Sequence, residues 1–305
     1  MGWETRACGS LGIAGDRWRC RAMVVLRTLL MAMLMIMGLL AVFQRRIMYP
    51  ASQAERLPVA AFPETARLFA ESKDVVLQTA DGTQIRGWYL RADADQKRRL
   101  MVLFHGNGGH RAGRTGWYQL AAALQCDVLA VDYHGYGDSG GSPTEQHLIE
   151  DAHAAWQHAI GPLGYVPHQI VICGESLGGG VAVRLAADVC RAEQRPKGLL
   201  LVATFDSMLN AAGYHFPWLP VGRLLLDRYH SDQHIADVTC RIMQYHGDQD
   251  TVVPLPLGQR LHQCARDVSA DGIPKQFHLL QDSGHNGLMR QHAERFQRDL
   301  QLLFQ

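Results

Sequence analysis

The stretch that decides the fold is QIVICGESLGGG, residues 169–180, in which a short apolar run leads directly into glycines around a serine. Such a run is typical of a strand that is buried on both faces of a parallel sheet. The residues after it, from Leu177 to Arg191, predict a helix. A strand, a tight glycine turn and a helix in that order place Ser176 on a sharp turn at the carboxyl edge of the sheet, near the positive end of the helix.

Further apolar runs lie on both sides of this stretch, at residues 100–105, 127–132, 198–203, 241–246 and 275–280. Helical stretches alternate with them at residues 116–124, 145–160, 177–191, 257–266 and 289–304. Residues 74–80 and 84–90 alternate apolar with polar positions around an Asp-Gly turn, which indicates a hairpin. The chain is therefore predicted to be an α/β domain with a mostly parallel, doubly wound sheet that opens with an antiparallel hairpin.

Composition excludes several classes of protein. The 305 residues suffice for one large domain, and 47% hydrophobic with 19% charged residues excludes a disordered chain or a coiled coil. A formal charge of +1 provides no basic field for a phosphate backbone, so no nucleic-acid partner is expected. The seven cysteines form no C-x-x-C pair and the chain has no H-E-x-x-H motif, so no metal and no cofactor are expected.

The amino-terminal region contains a membrane-spanning candidate. Residues 29–43 are uncharged, and residues 24–26 extend this run across Arg27 to about 20 residues, near the length that spans a bilayer. A buried core helix and a cleaved signal peptide are the alternatives. No A-x-A cleavage site follows, whereas Arg45, Arg46 and Tyr49 do, and basic and aromatic residues at this point favour an uncleaved helix.

We therefore predict a single-pass membrane protein. Basic residues flank the run almost equally on both sides, so the side on which the remaining chain lies stays open. The predicted divisions are an extension at 1–23, a transmembrane helix or signal anchor at 24–44, a linker at 45–72 and a catalytic domain at 73–305.

The glycine-flanked serine has the partners that nucleophilic catalysis needs. A serine hydroxyl is a weak nucleophile and requires a base, which in turn requires an orienting acid. Loops at the carboxyl ends of later strands offer His246 and His285. His285 is the better base, because it lies in the loop DSGHN after a strand whereas His246 ends its own strand. The loop HGDQDTVVP, residues 246–254, offers Asp248 and Asp250 as the acid.

Two glycine clusters follow the first two long strands. In FHGNGGH, residues 104–110, the glycines allow a backbone N–H to point into the site, and we expect the amides of Asn107 and Leu177 to bind an oxyanion. A plain loop or a phosphate cradle is the alternative, but neither a Walker loop nor G-x-G-x-x-G is present. The second cluster, residues 132–141, either lines the pocket structurally or contacts substrate.

Five motifs stand in a fixed order: HGNGG, DYHGYGDSGGSPTE, GESLGGG, HGDQDTVVP and SGHN. With them the chain, over about residues 45–305, resembles the α/β-hydrolase superfamily. Within it the chain resembles the Bem46-like membrane-anchored serine hydrolases, to which the ABHD17-type depalmitoylases are also similar. The resemblance implies an α/β-hydrolase fold, Ser176 as nucleophile, Asp250 as acid, His285 as base, oxyanion donors at Asn107 and Leu177, and an anchored amino terminus.

The expected function is hydrolysis of carboxylic esters or thioesters of lipid-like acids through an acyl-enzyme. Residues 205–238, where this fold inserts a cap, form a segment of only roughly 34 residues. Its apolar residues either line an acyl pocket or close the core: Ala211, Tyr214, Phe216, Pro217, Trp218, Leu219, Pro220, Leu224, Leu225 and Leu226. An aminopeptidase-like serine peptidase and a non-catalytic membrane-tethered scaffold are the alternative functions.

Overall fold

A computed structural model describes residues 11–92 and 98–304, with side chains from residue 21 onward. The chain forms two compact units that divide between Gln44 and Arg45. Helix α1 (Leu11–Met48) contains Arg21–Met48, which within the described residues is the one helical stretch long and apolar enough to cross a membrane. The amino-terminal extension predicted at 1–23 lies partly outside the described residues, and the predicted domain boundaries stay predictions.

The second unit is built on one eight-stranded sheet. Its strands are β1 (Glu71–Gln78), β2 (Gln84–Arg91), β3 (Leu100–Phe104), β4 (Asp127–Val131), β5 (Ile170–Glu175), β6 (Gly198–Val202), β7 (Arg241–Gly247) and β8 (Gln276–Leu280). Their order in the sheet is β1-β2-β4-β3-β5-β6-β7-β8. Strand β2 is antiparallel to both β1 and β4, and the remaining pairs are parallel, which confirms the predicted hairpin and mostly parallel sheet.

Helices connect the parallel strands and cover both faces of the sheet. They are α2 (Pro63–Ala66), α3 (Thr115–Ala123), α4 (Glu145–Ile160), α5 (Leu177–Arg191), α6 (Met208–His215), α7 (Val221–Leu224), α8 (Ser231–His234), α9 (Leu255–Cys264), α10 (Leu288–Gln291) and α11 (Ala293–Phe304). The single helix predicted at 289–304 is two helices in the structure, α10 and α11. It is interrupted at His292, whose ring lies 2.7 Å from the Ser283 hydroxyl in the preceding loop.

Two apolar layers hold the helices against the sheet. Alternate residues of β3 enter opposite layers, with Val102 and Phe104 in one and Met101 and Leu103 in the other. Burial on both faces explains why the strand sequences are continuously apolar rather than alternating. Each fully buried aliphatic or aromatic side chain contributes about 1.5–3 kcal/mol, so these layers fix the sheet on which the loops are carried.

A buried histidine ties the β1–β2 turn to helix α4. The His134 ring donates from Nδ1 to Asp151 Oδ1 at 2.6 Å, and its Nε2 lies 3.4 Å from Asp81 Oδ2 in the turn. Burial disfavours the charged ring, but the hydrogen bond to Asp151 and the nearby carboxylates outweigh it, and the pKa of His134 is raised. A protonated His134 therefore stabilises the position of the hairpin on the domain.

The parallel strands all end at one edge of the sheet, where the sequence-predicted loops meet. The loops after β3, β5, β7 and β8 carry Asn107, Ser176, Asp250 and His285, respectively. Ligands bind at this edge in open α/β sheets, where strand order reverses. The topology therefore brings residues that are up to 178 positions apart in the chain to one end of the sheet.

Candidate active site

The turn between β5 and α5 holds Ser176 in an uncommon backbone conformation, with φ 52° and ψ −116°. A non-glycine residue in this region costs about 1–3 kcal/mol. The flanking glycines are required by close approach. A Cβ on Gly174 would lie 2.5 Å from the Gly178 carbonyl oxygen, and one on Gly178 would lie 2.1 Å from the Phe104 carbonyl oxygen. The motif therefore packs the elbow directly against the end of β3.

His285 lies within hydrogen-bonding distance of both other residues of the predicted triad. The Ser176 hydroxyl lies 3.0 Å from His285 Nε2, and His285 Nδ1–H donates to Asp250 Oδ2 at 2.7 Å. The His285 side chain is 11% exposed while the Asp250 side chain is fully buried. A hydroxyl, an imidazole and a carboxylate in this chain can move a proton from the serine to the histidine and stabilise the cation that results.

The structure distinguishes the two candidate acids. Asp250 Oδ1 accepts hydrogen bonds from the backbone N–H groups of Val252 and Val253 at 2.9 and 2.8 Å, which leaves Oδ2 directed at His285. Asp248 instead accepts from the Ser283 N–H at 3.2 Å. Of the two candidates, Asp250 is therefore the one that contacts His285.

His246, the other candidate base, is engaged elsewhere. Its Nε2–H donates to the Val253 carbonyl at 2.8 Å, and its ring packs against Gly258, where a Cβ would approach to 2.4 Å. Burial lowers the pKa of His246, which keeps the ring neutral. This residue holds the loop that carries Asp250.

The predicted oxyanion donors lie on both sides of Ser176. Leu177 is the first residue of α5, and the N–H groups of the first turn of a helix have no acceptor within the helix. Asn107 follows Gly106, whose added Cβ would lie 3.5 Å from Ser176 Cβ. The Asn107 side chain accepts from the Tyr136 hydroxyl at 2.8 Å and donates to a main-chain carbonyl, so the loop is held at its side chain.

The carbonyl that binds Asn107 belongs to Met48, at 2.6 Å, in the last turn of α1. Two more contacts fasten this turn to the domain. The Arg45 guanidinium donates to both oxygens of Asp227 at 3.0 and 3.1 Å, and the Tyr49 and Tyr229 hydroxyls share a hydrogen bond of 2.9 Å. Sequence reasoning missed these partners and predicted the start of a linker here.

A buried charge cluster supports the loop after β3 from behind. Arg111 is 1% exposed and binds Asp132, Asp138 at 2.7 Å and the Leu57 carbonyl at 2.8 Å. Asp132 in turn lies 3.2 Å from His105 Nε2. Of the two interpretations of residues 132–141, the structural one fits the carboxylates of this segment, because both are paired with Arg111.

The apolar residues of the cap segment do not form a single class. Ala211 is buried, in agreement with a core-closing role. Tyr214, Phe216 and Trp218 are instead exposed, at 60%, 45% and 65%, so for them the expectation that they close the core is wrong. Tyr214 lies in the last turn of α6, whereas Phe216 and Trp218 follow the helix, in a stretch with prolines at 217 and 220.

Comparisons with known proteins agree with this fold. A model of the alpha/beta hydrolase fold family matches residues 99–225. An uncharacterised protein of Mycobacterium tuberculosis is 35% identical over 271 residues, covering 88% of this chain and 89% of that protein. Lysophosphatidylserine lipase ABHD12 of Danio rerio is 31% identical over 206 residues, which are 62% of this chain and 53% of the lipase.

Solved structures show the same architecture. The Pyrococcus furiosus esterase superposes with a TM-score of 0.62 at 19% identity, covering 78% of this chain and 91% of the esterase. A hyperthermophilic esterase of Pyrobaculum calidifontis gives a TM-score of 0.60 at 15% identity, with 81% of this chain and 90% of that chain covered. Together with the family model and the relative that is 35% identical over most of its length, this architecture shows that the chain belongs to the α/β-hydrolase superfamily.

Proposed function

We propose that this protein is a membrane-anchored serine hydrolase that cleaves carboxylic esters or thioesters of lipid-like acids through an acyl-enzyme. The observation that carries the proposal is the position of His285, which lies 3.0 Å from the Ser176 hydroxyl and 2.7 Å from Asp250. This arrangement needs no metal and no cofactor. Apolar helix α1 supplies the proposed single-pass anchor.

In the proposed mechanism His285 Nε2 removes the hydroxyl proton as Ser176 Oγ attacks the substrate carbonyl carbon. The fully buried Asp250 carboxylate stabilises the imidazolium and holds its Nδ1 proton. The N–H groups of Asn107 and Leu177 bind the oxyanion of the tetrahedral intermediate, where loss of one donor typically costs about 3–4 kcal/mol. The His285 proton then passes to the leaving alcohol or thiol. In the second half of the reaction His285 removes a proton from water, which attacks the acyl-enzyme, and the proton then returns to the departing Ser176 oxygen.

Two comparisons favour an ester substrate: one relative is named as a lysophosphatidylserine lipase and the solved neighbours as esterases. An aminopeptidase-like peptidase uses the same three residues and is the second candidate. A non-catalytic scaffold is the third, and the intact hydrogen-bond chain through His285 speaks against it. The narrower likeness to Bem46-like and ABHD17-type enzymes stays a prediction.

The test combines a fluorophosphonate probe with a substrate panel on the full chain in detergent. We expect the probe to label the wild type and Ser142→Ala, an exposed matched serine, but not Ser176→Ala. Among p-nitrophenyl acyl esters, acyl thioesters and aminoacyl amides, the esters and thioesters should be cleaved. If Ser176→Ala is still labelled, Ser176 is not the nucleophile. If only the amides are cleaved, the peptidase is favoured.

A further inference from the structure

Three exposed aromatic residues follow one another in the cap segment. Tyr214, Phe216 and Trp218, which we term the cap patch, are 60%, 45% and 65% exposed. The Phe216 and Trp218 ring centroids lie 6.5 Å apart with the planes at 81°, so these two rings contact each other at an edge. Large apolar side chains grouped at a surface mark an interaction site, whereas isolated ones are ordinary.

The cap patch lies next to the loop of the candidate active site. His215, within the patch sequence, has its Nε2 at 2.9 Å from the Val252 carbonyl oxygen. The N–H of Val252 donates to Asp250 Oδ1 at 2.9 Å. Two hydrogen bonds therefore connect the patch to the carboxylate that orients His285. An occupant of the patch would lie at the carboxyl edge of the sheet, where substrate must enter.

The same cap segment is fastened to the residue that follows the apolar run. Arg45 comes directly after Gln44 in the chain, and its guanidinium binds both oxygens of Asp227, which lies within the segment. A spanning helix leaves the hydrocarbon layer near such a basic residue. The contact thus holds the cap segment next to the residue at which the apolar run has ended.

The charge and residue types of the segment fit an interfacial layer. Residues 211–226 contain no acidic residue, while they contain Arg223 and His215. Tyrosine and tryptophan favour the headgroup region, because one end of each ring system is apolar and the other is polar. An anionic lipid surface would therefore meet attractive rather than repulsive charge along residues 211–226.

We propose that the cap patch inserts into the interfacial layer of the membrane in which helix α1 is anchored. The patch would then be a second point of membrane contact, beside the active site. The substrate is then a lipid-like ester that enters from the leaflet rather than from bulk water. The membrane contact goes beyond the proposed function and does not depend on it. The statement about substrate entry does rest on the proposed function.

The insertion is tested with the full chain reconstituted into phosphatidylcholine–phosphatidylglycerol vesicles. Emission of the wild type minus that of Trp218→Phe isolates Trp218. We expect brominated phosphatidylcholine, which quenches tryptophan at acyl-chain depth, to reduce this difference about twofold or more. The control places a tryptophan at Val268 in the Trp218→Phe background. Val268 is 47% exposed and pairs with Pro274 before β8 begins, at the opposite edge of the sheet, and it should not be quenched.

A second measurement addresses substrate entry. The double variant Phe216→Ser/Trp218→Ser should hydrolyse a long-chain ester in vesicles about tenfold more slowly, while hydrolysis of a soluble acetate ester changes by less than about twofold. Val268→Ser should leave both rates unchanged. Equal quenching at positions 218 and 268, or equal loss on both substrates, would overturn the inference. A wild type that cleaves no ester would refute the proposed function instead, and the quenching would still decide the membrane contact.

Discussion

Replacement of Asp250 by asparagine should inactivate the protein by changing the tautomer of His285. Oδ1 of Asp250 accepts two backbone N–H groups, from Val252 and Val253. Asparagine at this position keeps both bonds only if its carbonyl oxygen takes the Oδ1 place, which directs its NH₂ group at His285 Nδ1. The ring must then accept a hydrogen bond at Nδ1 and carry its own proton on Nε2, where it cannot accept the proton of Ser176.

The magnitude follows from this tautomer change. Loss of a triad acid with retained geometry typically lowers kcat by about 10⁴-fold, or about 5.5 kcal/mol at about 1.4 kcal/mol per factor of ten. Asp248→Asn is the matched control two residues away. Asp248 accepts one backbone N–H, from Ser283 at 3.2 Å, and an amide oxygen can accept it equally. We expect this variant to lose less than about tenfold, since one neutral hydrogen bond is worth about 1 kcal/mol.

Steady-state hydrolysis of a p-nitrophenyl ester by both variants measures these values, and circular dichroism verifies that they are folded. The KM of Asp250→Asn should remain close to that of the wild type, because the carboxylate does not touch substrate. A larger loss in Asp248→Asn than in Asp250→Asn would refute the assignment of the acid. Similar small losses in both would refute the argument from the tautomer.

Three further outcomes are expected. Ser176→Ala should fold normally but lose about 10⁵-fold or more in kcat; a changed circular dichroism spectrum would indicate a structural serine. Deletion of residues 1–44 should give a soluble, active protein. Deletion of residues 1–49 also removes the carbonyl that binds Asn107, and it should lower kcat about tenfold with little change in KM. Equal activity of the two truncated proteins would show that this contact does not contribute to catalysis. The pKa of His134 is raised in the folded state, so its protonation stabilises the folded state fully below about pH 6.5, and this stabilisation is lost as pH rises through the folded pKa. In His134→Gln the free energy of unfolding, measured with urea, should therefore depend less on pH above about pH 6.5.

Most of the sheet was predictable because its strands are buried on both faces and therefore read as continuous apolar runs. Strand β8 (Gln276–Leu280) was found by the same signal, although four of its five residues are only half-buried. The helix before the carboxyl terminus was less predictable, since nothing in the local sequence announces the interruption at His292. Its ring contacts Ser283, a loop residue, and a helical period contains no information on such a contact.

The candidate site was predictable where its residues follow strand ends in a known order. Ser176 and His285 could be chosen from the sequence because a parallel sheet collects its carboxyl ends at one edge. The choice between Asp248 and Asp250 needed family resemblance, since both follow the same strand. Partners across the chain were beyond reach: Arg45 reads as a membrane-boundary residue, and only the fold shows that it binds a carboxylate 182 positions away.

The positive φ of Ser176 has a consequence for the stability of this protein. Glycine occupies φ 52° and ψ −116° without the steric conflict that a Cβ creates, so a descendant carrying Ser176→Gly would keep the fold and gain thermal resistance while losing the hydroxyl. Serine at this position therefore costs stability that glycine would supply. That cost is accounted for if the Ser176 hydroxyl is the proposed nucleophile.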